Sequence, residues 1–324
     1  MKSDLFRLRL RWWGLVTAGG YVAGFASVLG FFGSLNWVFD ICSHFRVQYA
    51  LGLGLAALLM LIPRQRRSAA VFGALAAANL AVVLPLYFGQ APAPADAGWP
   101  VRALLVNVNR EYGNPARVAE AVTQFKPDIV VLEEVSVKWL ADLAPVLAKF
   151  KYSRRVVRDD NFGIALFSRF PFIQAQTPDI GYIVPSILAE IECSQGTCTV
   201  VATHPLPPAG GEYSRWRNAQ LEELPQWIKR ATSPVLLLGD LNVSPWSPHF
   251  TRLLRESGLR DSSQGRGVQP TWPAFNPLML IPIDYCLYSP GIAILNRQTG
   301  PDVGSDHYPV IVDFAIGKPA AHQP

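Results

Sequence analysis

Six apolar stretches in the C-terminal two-thirds of this 324-residue chain end at, or open from, residues able to bind a cation, move a proton or hold an anion. Asn107 and Asn109 close VRALLV, Glu133 and Glu134 close DIVVL, and His204 follows VVAT. Asp240 and Asn242 follow VLLLG, Asp284 lies in IPIDYCLYS, and Asp306 and His307 precede PVIVDF. A hydrophobic strand that stops at an acid or amide delivers that side chain to one rim of its sheet. A single strand-end carboxylate is usually a turn or cap residue; six such ends form a constellation. Together they offer carboxylates, two histidines and carboxamides, which are hard oxygen donors suited to Mg²⁺, Mn²⁺ or Ca²⁺. With four Cys and five His in the chain and no paired spacing among them, zinc is not indicated. A divalent ion, donors for non-bridging oxygens and a carboxylate near water are the parts of a phosphoester-hydrolysing site. No glycine-rich P-loop is present, which argues against nucleotide-driven chemistry.

Such groups need a scaffold that gathers strand ends. From residue 101 onward, short β-rich runs alternate with amphipathic stretches. The pattern predicts strands at 101–108, 128–132, 152–157, 162–168, 187–193, 197–203 and 235–240. Further strands are expected in IDYCLYS, IAILN and PVIVDFAI, and helices over 115–125, 137–148, 212–230 and 246–256. Trp216, Leu221, Leu224 and Trp227 set the apolar spacing of the longest helix. Helices flanking a mixed sheet, with consecutive strands in the middle, predict a layered α/β sandwich. Arg215, Arg217 and Gln220 read as a solvated helix face, with reach toward substrate as the alternative. Arg154, Arg155 and Arg158 form a small basic patch, and His44, His249 and His322 read as surface or loop residues.

The motifs NVN (107–109), PDIVVLEEV (127–135), GIALFSRFP (163–171), ATHPLPP (202–208), GDLNVSP (239–245), IDY (283–285) and GSDHYPV (304–310) resemble the endonuclease/exonuclease/phosphatase superfamily. The resemblance covers nearly all of 100–316, in that family's order. It implies a DNase-like four-layer α/β sandwich and Mg²⁺-dependent phosphoester hydrolysis, with Mn²⁺ as the alternative ion. It also implies roles. Glu134 is the principal metal ligand, Asn107 its neighbour at the metal–phosphate site, and Asp306 a further ligand through water. Asp240 orients or deprotonates the attacking water, and Asn242 contacts a phosphate oxygen. His307 hydrogen-bonds the scissile phosphate and is oriented by Asp284, while His204 resembles a second phosphate-side histidine. One departure stands out: the residue before the metal glutamate, commonly Gln, is Glu133 here, which adds negative charge beside the metal.

The N-terminal third differs in kind. Apolar runs at 12–32, 47–62 and 68–88 predict three transmembrane helices, with Trp12, Trp13, Trp37, Tyr87 and Trp99 near their ends. Arg46 is expected to snorkel toward the interface, and Asn79 to bond between helices. Gly20 and Gly24 form a small-xxx-small pair for packing within the bundle or between subunits. The net charge of +5 is uneven: residues 1–94 hold eight Lys/Arg and two acids, leaving 21 basic and 22 acidic residues in 95–324. Four of the basic residues precede the first run and Arg64, Arg66 and Arg67 fill the 64–67 loop, so both places are expected to face the cytoplasm. Three crossings then put the C-terminal part outside.

The expected organisation is a three-helix anchor (1–90), a Pro/Ala-rich linker (91–100), a catalytic domain (101–318) and a tail (319–324). The whole reads as a multi-pass protein of a bacterial inner membrane, with a cytoplasmic N-terminus and a periplasmic or extracellular phosphodiesterase or phosphatase. A near-neutral catalytic domain on a short tether favours a lipid or envelope-borne substrate over nucleic acid. The alternatives are a tethered endonuclease or exonuclease acting on DNA or RNA, and a non-catalytic receptor for a phosphorylated ligand. Cys193 and Cys198, bracketing SQGT, are expected to form a disulfide in that compartment.

Overall fold

The computed structural model describes residues 12–89, 100–181, 184–194 and 196–317. The 319–324 tail, His322, Trp99 and all of the 91–100 linker except Pro100 lie outside the described residues. The chain forms two compact units, Met1–Leu84 and Pro85–Pro324.

The first unit contains helices α1 (Trp12–Leu29), α2 (Trp37–Ser43), α3 (Arg46–Leu61) and α4 (Arg66–Val83). Two stretches, Trp12–Phe32 and Arg66–Tyr87, are long and apolar enough to cross a membrane. The predicted middle span instead belongs to a bent pair, α2 and α3, which meet at 67° and make a third candidate only if taken together. Alone, the 16 residues of α3 reach about 24 Å at ~1.5 Å per residue, short of a ~30 Å hydrocarbon core. Asn36 caps α2 by accepting from Val38 N at 2.9 Å. Gly20 and Gly24 pack inside the unit: a Cβ on Gly20 would enter the Phe72 ring, and one on Gly24 would lie 2.8 Å from Leu75.

Asn79 bonds between helices as expected, donating to Ser27 Oγ at 2.6 Å. Arg46 does not snorkel. It is buried, donates to Ser27 O at 2.9 Å and Asn79 Oδ1 at 3.0 Å, and stacks 3.8 Å above the Phe31 ring. Internal acceptors replace the water it would otherwise seek. His44 occupies the turn after α2 but is buried rather than at the surface.

The second unit is built on two six-stranded sheets. The first contains β1 (Val101–Asn107), β2 (Ile129–Glu133), β3 (Tyr152–Val156), β4 (Ile164–Ser168), β11 (Ile292–Thr299) and β12 (Val310–Ile316), in the order β11-β12-β1-β2-β4-β3. The second contains β5 (Phe172–Gln176), β6 (Ser186–Cys193), β7 (Gly196–Thr203), β8 (Val235–Asp240), β9 (Arg260–Asp261) and β10 (Asp284–Tyr288), in the order β5-β6-β7-β8-β10-β9. Helices α5 (Pro115–Phe125) and α6 (Val137–Leu147) cover the first sheet; α7 (Gly211–Arg230) and α8 (Pro248–Ser257) cover the second.

The four layers follow from strand alternation. Ala103, Leu105, Ile129, Val131, Leu236 and Leu238 form the core between the sheets. Their neighbours Leu104, Val106, Val130 and Leu132 face α5 and α6, and Val235 and Leu237 face α7 and α8. The central strands of both sheets are therefore buried on both sides, which is why they read as continuous apolar runs, whereas the edge strands β3 and β5 are largely exposed.

Cys193 and Cys198 do not form the expected disulfide. They are free thiols with sulfurs 3.8 Å apart. The β6–β7 register pairs Cys193 with Gly196 and Cys198 with Ile191, so the two cysteines do not face one another directly.

Candidate active site

Alternation also selects which strand-end residues meet. Asn107 and Glu133 share the parity of Leu105 and Val131, and Asp240 that of Leu238; all continue the inter-sheet face beyond the core. Asp284 has the parity of Cys286, another inter-sheet residue, and His204 that of Ala202. Register brings them abreast: Asn107 pairs with Glu133 across parallel β1 and β2, and Asp284 with Asp240 across antiparallel β10 and β8. Just past these ends the backbone turns left-handed at Asn109 (φ 48°), Glu134 (φ 60°) and Asn242 (φ 52°). Each such conformation costs on the order of 1–3 kcal/mol and tends to occur where the surrounding structure holds a functional residue in place.

Two imidazoles converge on one carboxylate oxygen. Asp240 Oδ2 lies 3.6 Å from His204 Nε2 and 3.7 Å from His307 Nε2. His307 Nδ1 lies 2.9 Å from Asp284 Oδ2, which fixes the ring orientation and points Nε2 toward Asp240. All four side chains are buried. Burial opposes charge on His307, but Asp284 and Asp240 outweigh it and push its pKa up to about 10. Burial likewise opposes charge on His204, but Asp240, Glu133 and Glu134 raise its pKa to about 9. Asp240 is held below the usual carboxylate range because the two imidazoles overcome its burial. In Asp284 burial wins over His307 and holds the carboxyl above that range. An anionic phosphoryl group entering here would meet two positively charged N–H donors and an ionised acceptor.

Glu133, expected to add negative charge beside the metal, is directed at the Asp240 backbone instead. It turns inward, and Asp240 N lies 3.1 Å from Glu133 Oε2. Burial, aided by Asp240 and Asp284 and opposed by His204, pushes its carboxyl well above the usual range. That holds it toward its neutral form.

Glu134 is half-buried and accepts from Asn107 Nδ2 at 3.2 Å and Arg110 N at 3.3 Å. The Arg110 guanidinium is turned away, toward Glu111 at 2.8 Å and Asn161 at 3.3 Å. A carboxylate approached by amides rather than by a cation, with a carboxamide oxygen on the neighbouring side chain, fits a hard divalent ion. Asp306 stands apart from this pair, since its oxygens accept from Asn109 Nδ2 at 2.6 Å and Trp272 Nε1 at 3.0 Å. Asn242 donates to Pro205 O at 3.0 Å. A second metal-capable group among the described residues is Asp240, Asp284 and His307, whose ligand atoms lie within 4.8 Å of one another. The His307–Asp284 hydrogen bond already occupies part of that set.

The fold thus brings together His204, Asp240, Asp284 and His307, sets Asn107 with Glu134 nearby, and ties Asp306 to the adjoining loops. Arg217 and Gln220 are not a solvated face. Both are buried: Arg217 Nη1 donates to Asn242 O at 3.0 Å, and Gln220 Nε2 donates to Thr203 Oγ1 at 3.0 Å. They fasten α7 to the ends of β8 and β7. Arg215 is exposed, and His249 lies 3.1 Å from Asn218 Nδ2. Supporting residues with no sequence signal of their own include Thr271, whose Oγ1 accepts from Asp284 N at 3.2 Å, and Phe162, whose ring centroid is 6.0 Å from that of His204. Ser305, inside GSDHYPV, does carry a signal: it donates to Asn107 O at 2.8 Å and accepts from His307 N at 3.1 Å.

A family model described as the Endonuclease/Exonuclease/phosphatase family matches residues 104–307. No curated protein matches the chain in sequence. Among solved structures, an endonuclease/exonuclease/phosphatase from Beutenbergia cavernae is similar at 20% identity and TM-score 0.56, covering 68% of this chain and 72% of its own. A mannosyl-6-phosphatase of Bacteroides thetaiotaomicron is similar at 19% identity and TM-score 0.56, covering 67% of this chain and 100% of its own. D. rerio TDP2 complexed with a single-strand DNA product is similar at 18% identity and TM-score 0.56, covering 67% and 99%. At these identities the likeness establishes the two-sheet α/β fold.

Proposed function

The chain belongs to the endonuclease/exonuclease/phosphatase family, and from that premise we propose that it is a divalent-metal-dependent phosphodiesterase or phosphatase, anchored in a bilayer, with its active site outside the cytoplasm. The observation that carries this reading is the convergence of His204 Nε2 and His307 Nε2 on Asp240, next to a Glu134 carboxylate approached by amides. Glu134 and Asn107 would hold Mg²⁺ or Mn²⁺, with Asp306 contributing through water. The bound ion supplies positive charge that stabilises phosphoryl oxygens. Asp240, ionised, orients the attacking water. His307, aimed by Asp284, and His204 donate to phosphoryl oxygens, and Asn242 has a second amide N–H for the same purpose beyond the one given to Pro205.

Anchoring is supported by the two apolar helical stretches and the bent pair. The cluster at Arg64, Arg66 and Arg67 supports the orientation. The balance of 21 basic to 22 acidic residues beyond position 94 favours a lipid or envelope-borne phosphoester over nucleic acid.

The test is turnover by the full chain in detergent across nucleic acids, lipid phosphodiesters and phosphomonoesters, with Mg²⁺ and with EDTA. Hydrolysis that EDTA abolishes is expected. Glu134→Gln and His307→Ala should each lower kcat by roughly 10²-fold or more, the range for removing a group that stabilises transition-state charge. Full activity in either variant, or indifference to EDTA, overturns the reading. Ligand binding without turnover would favour the receptor class, and turnover confined to nucleic acids would favour the nuclease.

A further inference from the structure

One edge of the site is apolar and faces outward. Residues 273–280 form a loop from Trp272 to Ile281, which are joined by a short antiparallel bridge. Phe275 is 76% exposed, Leu278 82% and Met279 41%. The loop is pinned to the catalytic segment. Trp272 Nε1 donates to Asp306 Oδ2 at 3.0 Å, Ala274 N donates to Asp306 O at 2.8 Å, and Tyr308 Oη donates to Ala274 O at 3.3 Å. Inside the loop, Asn276 Oδ1 accepts from Leu278 N at 3.2 Å and Asn276 O from Met279 N at 3.0 Å. The Trp272 and His307 ring centroids are 6.4 Å apart. A second loop also reaches Asp306, through Asn109 Nδ2 at 2.6 Å, and three residues further on Tyr112 is 80% exposed.

Single exposed apolar residues are ordinary surface. Three on one fixed loop, bordering a catalytic histidine, form a patch that gains free energy when something apolar covers it. We propose that Phe275, Leu278 and Met279 seat the active site on a lipid surface, so that the substrate is a phosphoester lipid drawn from the bilayer. The substrate half of this rests on the phosphoesterase reading above; the seating does not.

Two observations select a lipid surface as the occupant. The stretch Gln264–Leu280 contains one Arg and no acid, so it carries nothing that an anionic headgroup layer repels. The same stretch also holds the chain just after α4: Gly265 N and Gly267 N each donate to Leu86 O at 2.9 Å, and Gln264 Nε2 donates to Pro85 O and Phe88 O at 2.6 Å. The segment carrying the apolar loop is therefore bonded, within its own unit, to Pro85–Phe88, the residues that follow α4 directly in sequence.

The experiment uses the full chain in phosphatidylcholine–phosphatidylglycerol vesicles. Leu278→Cys, in a Cys42→Ser background, carries a bimane label, and the vesicles contain either plain or brominated acyl chains. Quenching by brominated chains, unchanged as the protein-to-lipid ratio falls, is expected. No quenching overturns the seating. Quenching that vanishes on dilution into lipid assigns the patch to a second copy of the chain and also overturns it. In parallel, the combined variant Phe275→Ser, Leu278→Ser, Met279→Ser should lose about tenfold or more of its activity on vesicle-borne phospholipid. It should stay within about twofold on soluble bis(4-nitrophenyl) phosphate, because none of the three side chains reaches the reacting groups. Equal loss on both substrates overturns the lipid assignment. If the unaltered chain hydrolyses no phosphoester at all, the phosphoesterase reading fails while the quenching still decides the seating.

Discussion

His307 and His204 are buried beside the Asp240 carboxylate, and that makes their charge state part of the folding equilibrium. Free imidazole titrates near ~6.5, whereas His307 is raised to about 10 and His204 to about 9. A raised folded-state pKa means that the native protein holds a proton the unfolded chain gives up. The stabilisation is complete below the unfolded value and is lost as pH rises through the folded one. The chelator-treated full chain is therefore expected to become less stable between pH ~7 and ~10, with a slope of up to ~1.4 kcal/mol per pH unit for each proton retained. Chemical denaturation midpoints across that window measure it. His307→Gln, which cannot titrate, should flatten the profile. A stability that rises through the window would show that the carboxylates do not hold these protons.

At the scale of elements, the strand ends depend on close backbone contact. Gly239, in β8, has no room for a Cβ: one built there would run into Thr203 O and lie 3.1 Å from Glu133 Oε1. Gly239→Ala must push β8 away from β7, displacing Asp240 relative to His204. It should cost about 1–3 kcal/mol, as overpacking a tight site does, and lower kcat beyond what the stability loss explains. Thermal denaturation together with kcat on one preparation separates the two effects, and an unchanged kcat would mean that the strand ends tolerate the shift. Most of these elements were legible because periodicity and burial agree: the doubly covered strands are apolar runs, and α5 and α6 keep their apolar spacing. Less visible was β5, an edge strand in which Ile173, Gln174 and Gln176 are exposed and the two glutamines interrupt any apolar run. The two-residue β9 is too short to carry a pattern. The site residues could be read because each ends a strand. The burial of Arg217 and Gln220 could not, because both are polar in type and their acceptors, Asn242 O and the Ser186 and Thr203 hydroxyls, are remote in sequence. Arg46 misled for the same reason, its acceptors Ser27 and Asn79 being remote in sequence.

For the whole molecule, the number of crossings decides where the chemistry happens. With α1 and α4 as the only spans, the catalytic unit would lie on the same side as the N-terminus, and Arg64, Arg66 and Arg67 would lie on the opposite side. If Lys2, Arg7, Arg9 and Arg11 are retained in the cytoplasm, that arrangement exports the arginine loop against the positive-inside tendency. Counting the bent pair α2 and α3 as a third crossing keeps both basic segments inside and places the catalytic unit outside. The buried Arg46–Ser27–Asn79 network suits a crossing pair, since Nη1 of a guanidinium at a helix start finds protein acceptors rather than water. An alkaline phosphatase reporter, active only outside the cytoplasm, is therefore expected to work when fused to the C-terminus of the full chain. Green fluorescent protein at the same place, exported unfolded, should stay dark. Replacing Arg64, Arg66 and Arg67 with Gln should lower reporter activity by weakening retention of the loop. A bright cytoplasmic fusion with a silent phosphatase would mean that the bent pair enters and leaves on one side, and the active site would then face the cytoplasm.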